Sequence, residues 1–255
     1  MTHHILILGG TTEARQLAGK LSRRKDFAVT LSLAGRTESP VAQGVPVRVG
    51  GFGGDNGLAA YLAQEHIDLL IDATHPYAAR ISANAAEAAK QASVPILALR
   101  RPGWEAVAGD RWTFVDSVAE AASALGSAPR RVFLAIGRQE AGVFETAPQH
   151  RYLIRSVDPV EPKLAAPDAL YLLARGPFPE ADERALLEKY GIDAVVSKNS
   201  GGEATYGKIA AARTLGIEVI MIRRPALPDV PSVETVDQLA AQVDHFFEPV
   251  ADRGV

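Results

Sequence analysis

Two short segments set hydroxyls, amides and an imidazole directly after apolar runs. In residues 5–15, ILILGGTTEAR, the run stops at Gly9 and Gly10, and Thr11, Thr12 and Glu13 open a helical segment. A helix start presents unpaired N–H groups and a positive dipole end, which suits a phosphate, and two threonine hydroxyls add donors. The spacing fails G-x-G-x-x-G, and Thr11 or Thr12 acting only as a helix cap is the competing reading. Beside a phosphate Glu13 must face elsewhere, toward a ribose hydroxyl or Arg15. The second segment, IDATHPYA at 71–78, ends a buried run with Thr74, His75 and Tyr77. Pro76 stiffens the turn and biases His75 away from helix. A histidine at such a strand end can serve as acid, hydrogen-bond donor or packing element.

Further along, VTLSLAGR ends the second strand-like run with Arg36, a cation where a dinucleotide site preferring NADP meets the 2′-phosphate. GGFGGDNG at 50–57 reads first as a flexible connection and second as a backbone edge against a cofactor. In the second half, SKNSGGEATYGK ends a run with Lys198, Asn199 and Ser200, followed by Gly201 and Gly202, a polar turn able to bind anions. Gly202 to Lys208 spells G-x-x-x-x-G-K, but residue 209 is isoleucine where a P-loop needs Ser or Thr for magnesium, so an NTPase is disfavoured. Arg138, Arg223 and the twice-occurring RRP segments place cations near strand ends, with a solvated rim as the alternative. The six histidines are scattered, which argues against a metal site, and neither Tyr-x-x-x-Lys nor G-x-S-x-G occurs.

The elements that must position these residues emerge from the patterning. Short apolar runs alternate with alanine-rich segments of helical period, the signature of βαβ units around parallel sheets buried on both faces. VFLAIGRQEA at 132–141 lies on ILILGGTTEA at 5–14 without a gap, matching Gly10 with Gly137 and Glu13 with Glu140. The segment from Leu69 to Pro102 also lies on that from Asp193 to Pro225, with Arg100-Arg101-Pro102 falling on Arg223-Arg224-Pro225. The expected fold is α/β with two Rossmann-like lobes related by an internal repeat, 1–127 and 128–255. A hinge near Gly126 to Pro129 would set their strand ends around a shared cleft.

Composition narrows the partners. Lys and Arg total 27 against 30 Asp and Glu, a net charge of -3 that gives nucleic acid no support as a partner. There is no cysteine, hence no disulfide and no thiolate chemistry. The N-terminus enters a strand-like run without a signal-like segment, and no apolar stretch is long enough to span a bilayer, so a cytoplasmic protein without membrane contact is expected. The polar C-terminal EPVADRGV reads as a frayed tail.

Together, GGTTEAR, DATHPYA, LRRPGW, IGR, SKNSGG and RRP resemble the precorrin-6A reductase family of cobalamin biosynthesis, over about residues 4 to 245. The resemblance implies an NADPH-dependent oxidoreductase that adds a hydride and a proton across one carbon–carbon double bond of a tetrapyrrole-derived macrocycle, giving precorrin-6B. A related reductase acts on the cobalt-bearing analogue, and the sequence does not separate the two. On this reading Gly9, Gly10, Thr11, Thr12, Glu13, Arg36 and Thr74 hold the cofactor. His75 and Tyr77 stand at the reaction, with water as the other source of the proton. Arg138, Lys198, Asn199, Ser200, Gly201, Gly202 and Arg223 meet the substrate's acetate and propionate groups. Transient contact with neighbouring pathway enzymes is the one protein partner expected. A non-catalytic NADP sensor and a two-lobed transferase or NTPase are the rival classes.

Overall fold

In the opening strand Ile5 and Ile7 pack on one face of a sheet while Leu6 and Leu8 pack on the other, all four fully or almost fully buried. That two-sided burial is why the run is continuously apolar rather than alternating. The computed structural model describes residues 2–35 and 44–248. Arg36 lies outside the described residues, as does the tail from Pro249.

The chain begins β1 (His3–Leu8), α1 (Thr12–Leu21), β2 (Phe27–Leu33), β3 (Val47–Val49), α2 (Asp55–Gln64), β4 (Leu69–Asp72), α3 (Ala79–Ala92) and β5 (Ile96–Leu99). It continues β6 (Trp112–Val115), α4 (Val118–Ala124), β7 (Arg131–Ala135), β8 (Arg151–Ser156), β9 (Ala169–Leu173), α5 (Glu180–Tyr190), β10 (Ala194–Lys198), α6 (Gly207–Thr214) and β11 (Glu218–Ile222). Last come β12 (Ser232–Val233) and α7 (Val236–Phe247).

Two compact units result, one built from residues up to Pro102 together with those from Ala226 onward, the other from Gly103 to Pro225. Each holds one six-stranded, wholly parallel sheet, ordered β3-β2-β1-β4-β5-β12 in the first and β9-β8-β7-β10-β11-β6 in the second. Five strands of each sheet therefore keep the 3-2-1-4-5 order of a dinucleotide-binding fold. The sixth position is filled crosswise. β6, which comes after β5 in the chain, pairs with β11, and β12, which comes after β11, pairs with β5.

The division expected at 127/128 is thereby corrected. Residues 125–130 only join α4 to β7, two elements of the same unit, and the chain passes between units at Pro102/Gly103 and Pro225/Ala226. The cause is hydrogen bonding of short edge strands, which sequence periodicity does not register. The exchanged segments match each other locally. Ser117 and Thr235 each cap the next helix by accepting from the backbone N–H of Glu120 and Gln238, and each of those side chains accepts a bond from backbone N–H just before its helix.

In the first unit α1 and α7 cover one sheet face, where Leu17, Leu21, Leu239 and Val243 join Ile5 and Ile7. α2 and α3 cover the other, where Leu58, Leu62, Ala85 and Ala88 join Leu6 and Leu8. In the second unit Phe133, Val195, Ile209 and Met221 centre the core. Gly50, Gly53 and Gly54 of the glycine-dense connector have positive φ, and Arg48 donates to the carbonyls of Gly50 and Gly51 with its guanidinium 3.7 Å from the Phe52 ring centroid. That stretch is a pinned connection between β3 and α2.

Candidate active site

Leu8 and Asp72 are register partners at the carboxyl ends of the adjacent strands β1 and β4. The turns leaving the two strands are therefore brought together, Gly9 to Glu13 after β1 and Thr74 to Tyr77 after β4. One hydrogen bond ties them, from Thr11 Oγ1 to the Ala73 carbonyl at 2.9 Å, while the same oxygen accepts from Ala14 N at 3.1 Å as the cap of α1. Thr11 thus does the capping work. The amides of Thr12 and Glu13 precede the first intrahelical bond, Arg15 N to Thr11 O, and Thr12 is exposed. Gly10 has φ +110 with open space where a Cβ would stand, and a Cβ on Gly9 would lie 2.6 Å from Leu31 Cδ1 in the core.

Acidic and basic side chains then brace the turns. Glu13 faces neither Arg15 nor solvent alone: it pairs with Arg101 at 2.6 Å, and Arg100 Nη2 donates to Asp72 Oδ2 at 2.6 Å. Asp72 is fully buried and accepts from the backbone and hydroxyl of Thr74 at 3.1 and 2.7 Å. Burial opposes its ionisation, but the Arg100 charge and the hydrogen bonds from Arg100, Ser82 and Thr74 prevail and hold the carboxyl below its ordinary range. Thr74 is buried and its hydroxyl serves Asp72. The His75 ring is half-buried, its Nδ1 accepts from Tyr77 N at 3.3 Å, and the two rings lie 5.7 Å apart. With Nδ1 accepting, a neutral imidazole carries its proton on Nε2. The acid at position 72 was not singled out in the sequence, and Arg100 stood there only as a strand-end cation of an RRP segment without its partner. Their signal is an Asp ending one buried strand and an Arg ending its neighbour.

The second unit repeats the plan with other chemistry. Arg138 comes after β7 and Lys198 to Gly202 end β10, again adjacent strands. Lys198 pairs with Glu140, the residue aligned with Glu13, so in both units that acid meets a strand-end cation. Arg138 donates to the Pro159 carbonyl at 3.4 Å. Asn199 clips the backbone of Trp104, accepting from its N–H at 2.7 Å and donating to its carbonyl at 2.9 Å, and its own carbonyl accepts from Arg224 at 2.7 Å. Ser200 is buried with its Oγ 3.4 Å from Thr205 Oγ1, and Gly201 takes φ +73, a conformation open to glycine. Gly202 leads into a 3-10 turn over Glu203–Thr205. Arg223, exposed, pairs with Asp116 at 2.8 Å over the Phe114 ring and joins the far side of β11 rather than this turn. Lys208 of the G-x-x-x-x-G-K string points inward and donates to the Thr205 carbonyl, which is not how a P-loop lysine meets phosphate.

A family model described as precorrin-6x reductase, CbiJ/CobK, matches residues 4–244. The chain belongs to this family. Precorrin-6x reductases are oxidoreductases, and relatives of this chain agree with that placement. It is 60% identical to a precorrin-6A reductase of Sinorhizobium sp over 96% of this chain and 94% of the relative. A solved CobK precorrin-6A reductase superposes with a TM-score of 0.92 at 48% identity, covering 100% of both chains. The cobalt-precorrin-6A reductase of Priestia megaterium is 28% identical over 88% of this chain and 91% of the relative. In a precorrin-6x reductase these strand-end turns stand where open α/β sheets bind ligands. Among the described residues no helix is long and apolar enough to cross a membrane.

Proposed function

We propose that the chain reduces precorrin-6A to precorrin-6B with NADPH in cobalamin biosynthesis, in the cytoplasm, taking the metal-free macrocycle in preference to its cobalt form. The observation that carries the reading is the junction of the two turns through Thr11 and Ala73, at the end of a sheet whose first strand runs into a capped helix. A diphosphate fits there on this chain's own features: a side-chain-free Gly10 facing open space, the leading amides of α1, and the exposed Thr12 hydroxyl. Gly9, Gly10, Thr11, Thr12 and Glu13 form that seat, Thr74 supports it through Asp72, and Arg36 meets the 2′-phosphate. The preference for the metal-free substrate rests on 60% identity to a precorrin-6A reductase against 28% to a cobalt-precorrin-6A reductase.

When bound, NADPH supplies the hydride. The protein's tasks are to orient, to exclude water and to provide the accompanying proton. His75 carries a proton on Nε2 when Nδ1 accepts from Tyr77, and the Pro76 turn keeps the ring aimed; Tyr77 packs beside it. Arg138 and the Lys198 to Gly202 turn meet the macrocycle's carboxylates, with Arg223 at the outer rim. Guanidinium forks orient such groups as well as attract them. The net charge of -3 offers nothing to nucleic acid, and brief contact with the enzymes before and after it is the protein partnership proposed.

Incubation with NADPH and precorrin-6A, monitoring the absorbance of both, tests the reading. Oxidation of one NADPH per macrocycle, faster than with NADH or with the cobalt-bearing substrate, is expected. Binding of NADPH with no macrocycle consumed would make the chain a sensor and end the proposal.

A further inference from the structure

Lys208 is a buried charged side chain that the proposed chemistry leaves unused. It lies in the first turn of α6, 3% exposed, within a segment that is otherwise apolar core. Its ammonium donates to the Thr205 carbonyl at 2.7 Å and stands 4.8 Å from the Trp104 ring centroid. The titratable groups facing it are Arg155 of β8 and Glu183 of α5, which are paired with each other through two hydrogen bonds, the longer 2.8 Å. Next to it, Tyr206 presents its hydroxyl to Arg213, which also pairs with Asp110. Since Arg155 and Glu183 already compensate one another, the lysine adds an excess positive charge to the interior. Burial, then the Arg155 charge, push its pKa down from 10.5 to about 7, with Glu183 opposing. Folding alone would be better served by methionine at this position.

The two contacts of the ammonium lead to the two ends of one feature. Thr205 shares its hydroxyl with Ser200, and Trp104 is held by the Asn199 amide at both its N–H and its carbonyl. We propose that Lys208 is a positioning residue for the Lys198 to Gly202 turn, gripping Thr205 on one side and Trp104 on the other, so that Asn199 and Ser200 are fixed where substrate carboxylates arrive. This rests on the reading of that turn as the carboxylate-binding element. The charge strengthens both contacts, because a charged donor bonds a carbonyl more strongly than a neutral one and a cation is drawn to an aromatic face more strongly than a neutral amine. Loss of the proton loosens the turn while leaving the chain folded. The device therefore links substrate affinity to pH near neutrality, through a side chain that need not touch the substrate.

The test is steady-state kinetics on the full chain between pH 6 and 9, comparing wild type with Lys208→Met. In wild type KM for precorrin-6A rises several-fold as pH passes through about 7, while KM for NADPH stays flat. In Lys208→Met KM for precorrin-6A is about 10-fold higher at pH 6 and no longer varies with pH. An unchanged KM, or a retained pH dependence, overturns the proposal. Trp104 gives a second readout: in a Trp112→Phe background its emission shifts through the same pH range and does so only with Lys208 present. If Lys208→Met does not fold, absence of that shift in the Trp112→Phe protein alone overturns it. Lys198→Ala and Ser200→Ala separate the two layers. If both leave KM for precorrin-6A unchanged, the carboxylate-binding reading fails; if they raise it while Lys208→Met does not, only the positioning role fails.

Discussion

Asp72 has no solvent exposure, so its charge survives because Arg100 at 2.6 Å and the bonds from Ser82 and Thr74 compensate it. Asp72→Asn keeps the shape, removes the charge, and leaves the mostly buried Arg100 without its carboxylate. Breaking a buried pair from one side costs about 3–5 kcal/mol, and that loss is the expected drop in unfolding free energy at pH 7. The depressed carboxyl pKa sets the sign of the pH dependence. The contribution is complete above the unfolded value, near 4, and is lost as pH falls through the lower folded value. Urea melts at pH 7 and at pH 3 should therefore show the gap between variant and wild type narrowing in acid; a constant gap would mean that ionisation of Asp72 plays no part. The sequence displayed the side chains of this region, GGTT, THPY and RRP, but not their pairings. Glu13 with Arg101 and Asn199 with Trp104 join residues 88 and 95 positions apart, and only the folded sheet decides that neighbouring strands end side by side.

At the scale of elements, the passage from β1 into α1 has little freedom. Gly9 abuts Leu31 Cδ1 at 2.6 Å from a would-be Cβ, and Leu31 is fully buried with Ala14 on the other side at 3.3 Å. Gly9→Ala must displace either the core leucine or the start of the helix. Overpacking of this kind costs about 1–3 kcal/mol, and a tilt of the helix start misplaces the amides proposed to hold the diphosphate. A raised KM for NADPH, at least 10-fold, with KM for precorrin-6A little altered is the expected result; wild-type KM for NADPH in a destabilised Gly9→Ala would dissociate the turn from the cofactor. This element was legible because an apolar run ending in two glycines before a helical period has few structural meanings. In the second half the aligned run also ends in a positive-φ glycine, Gly137, yet a 3-10 turn over Ala141–Thr146 replaces the first helix. Glycines at the turn constrain the backbone there and say nothing of how long the next helix runs.

For the whole molecule, the sequence repeat foretold two similar sheets but misplaced their border, because β6 and β12 are only four and two residues long. Both are largely exposed along their length, unlike the fully buried four-residue β4, so no apolar run marks them, and what assigns them is the partner edge. The consequence is that the second unit is continuous while the first is interrupted. A fragment of residues 103–225 retains β6 and α4, including the buried Ala121, Ala122 and Leu125, and keeps all six strands of its sheet. A fragment of residues 128–255 lacks those and carries β12 and α7 without the sheet they complete. Residues 1–102 in turn lose Leu239, Ala240 and Val243, all buried against the β1 face. At about 1.5–3 kcal/mol for each large apolar side chain, losing the burial of Leu239 and Val243 alone removes about 3–6 kcal/mol, a large part of the 5–15 kcal/mol on which a domain typically rests. Expressed separately, 103–225 should be soluble and unfold in one sigmoidal urea transition by circular dichroism, while 1–102 and 128–255 should not. If 128–255 instead melted cooperatively and 103–225 did not, the crosswise pairing of the sixth strands would be wrong, and with it the division of the chain.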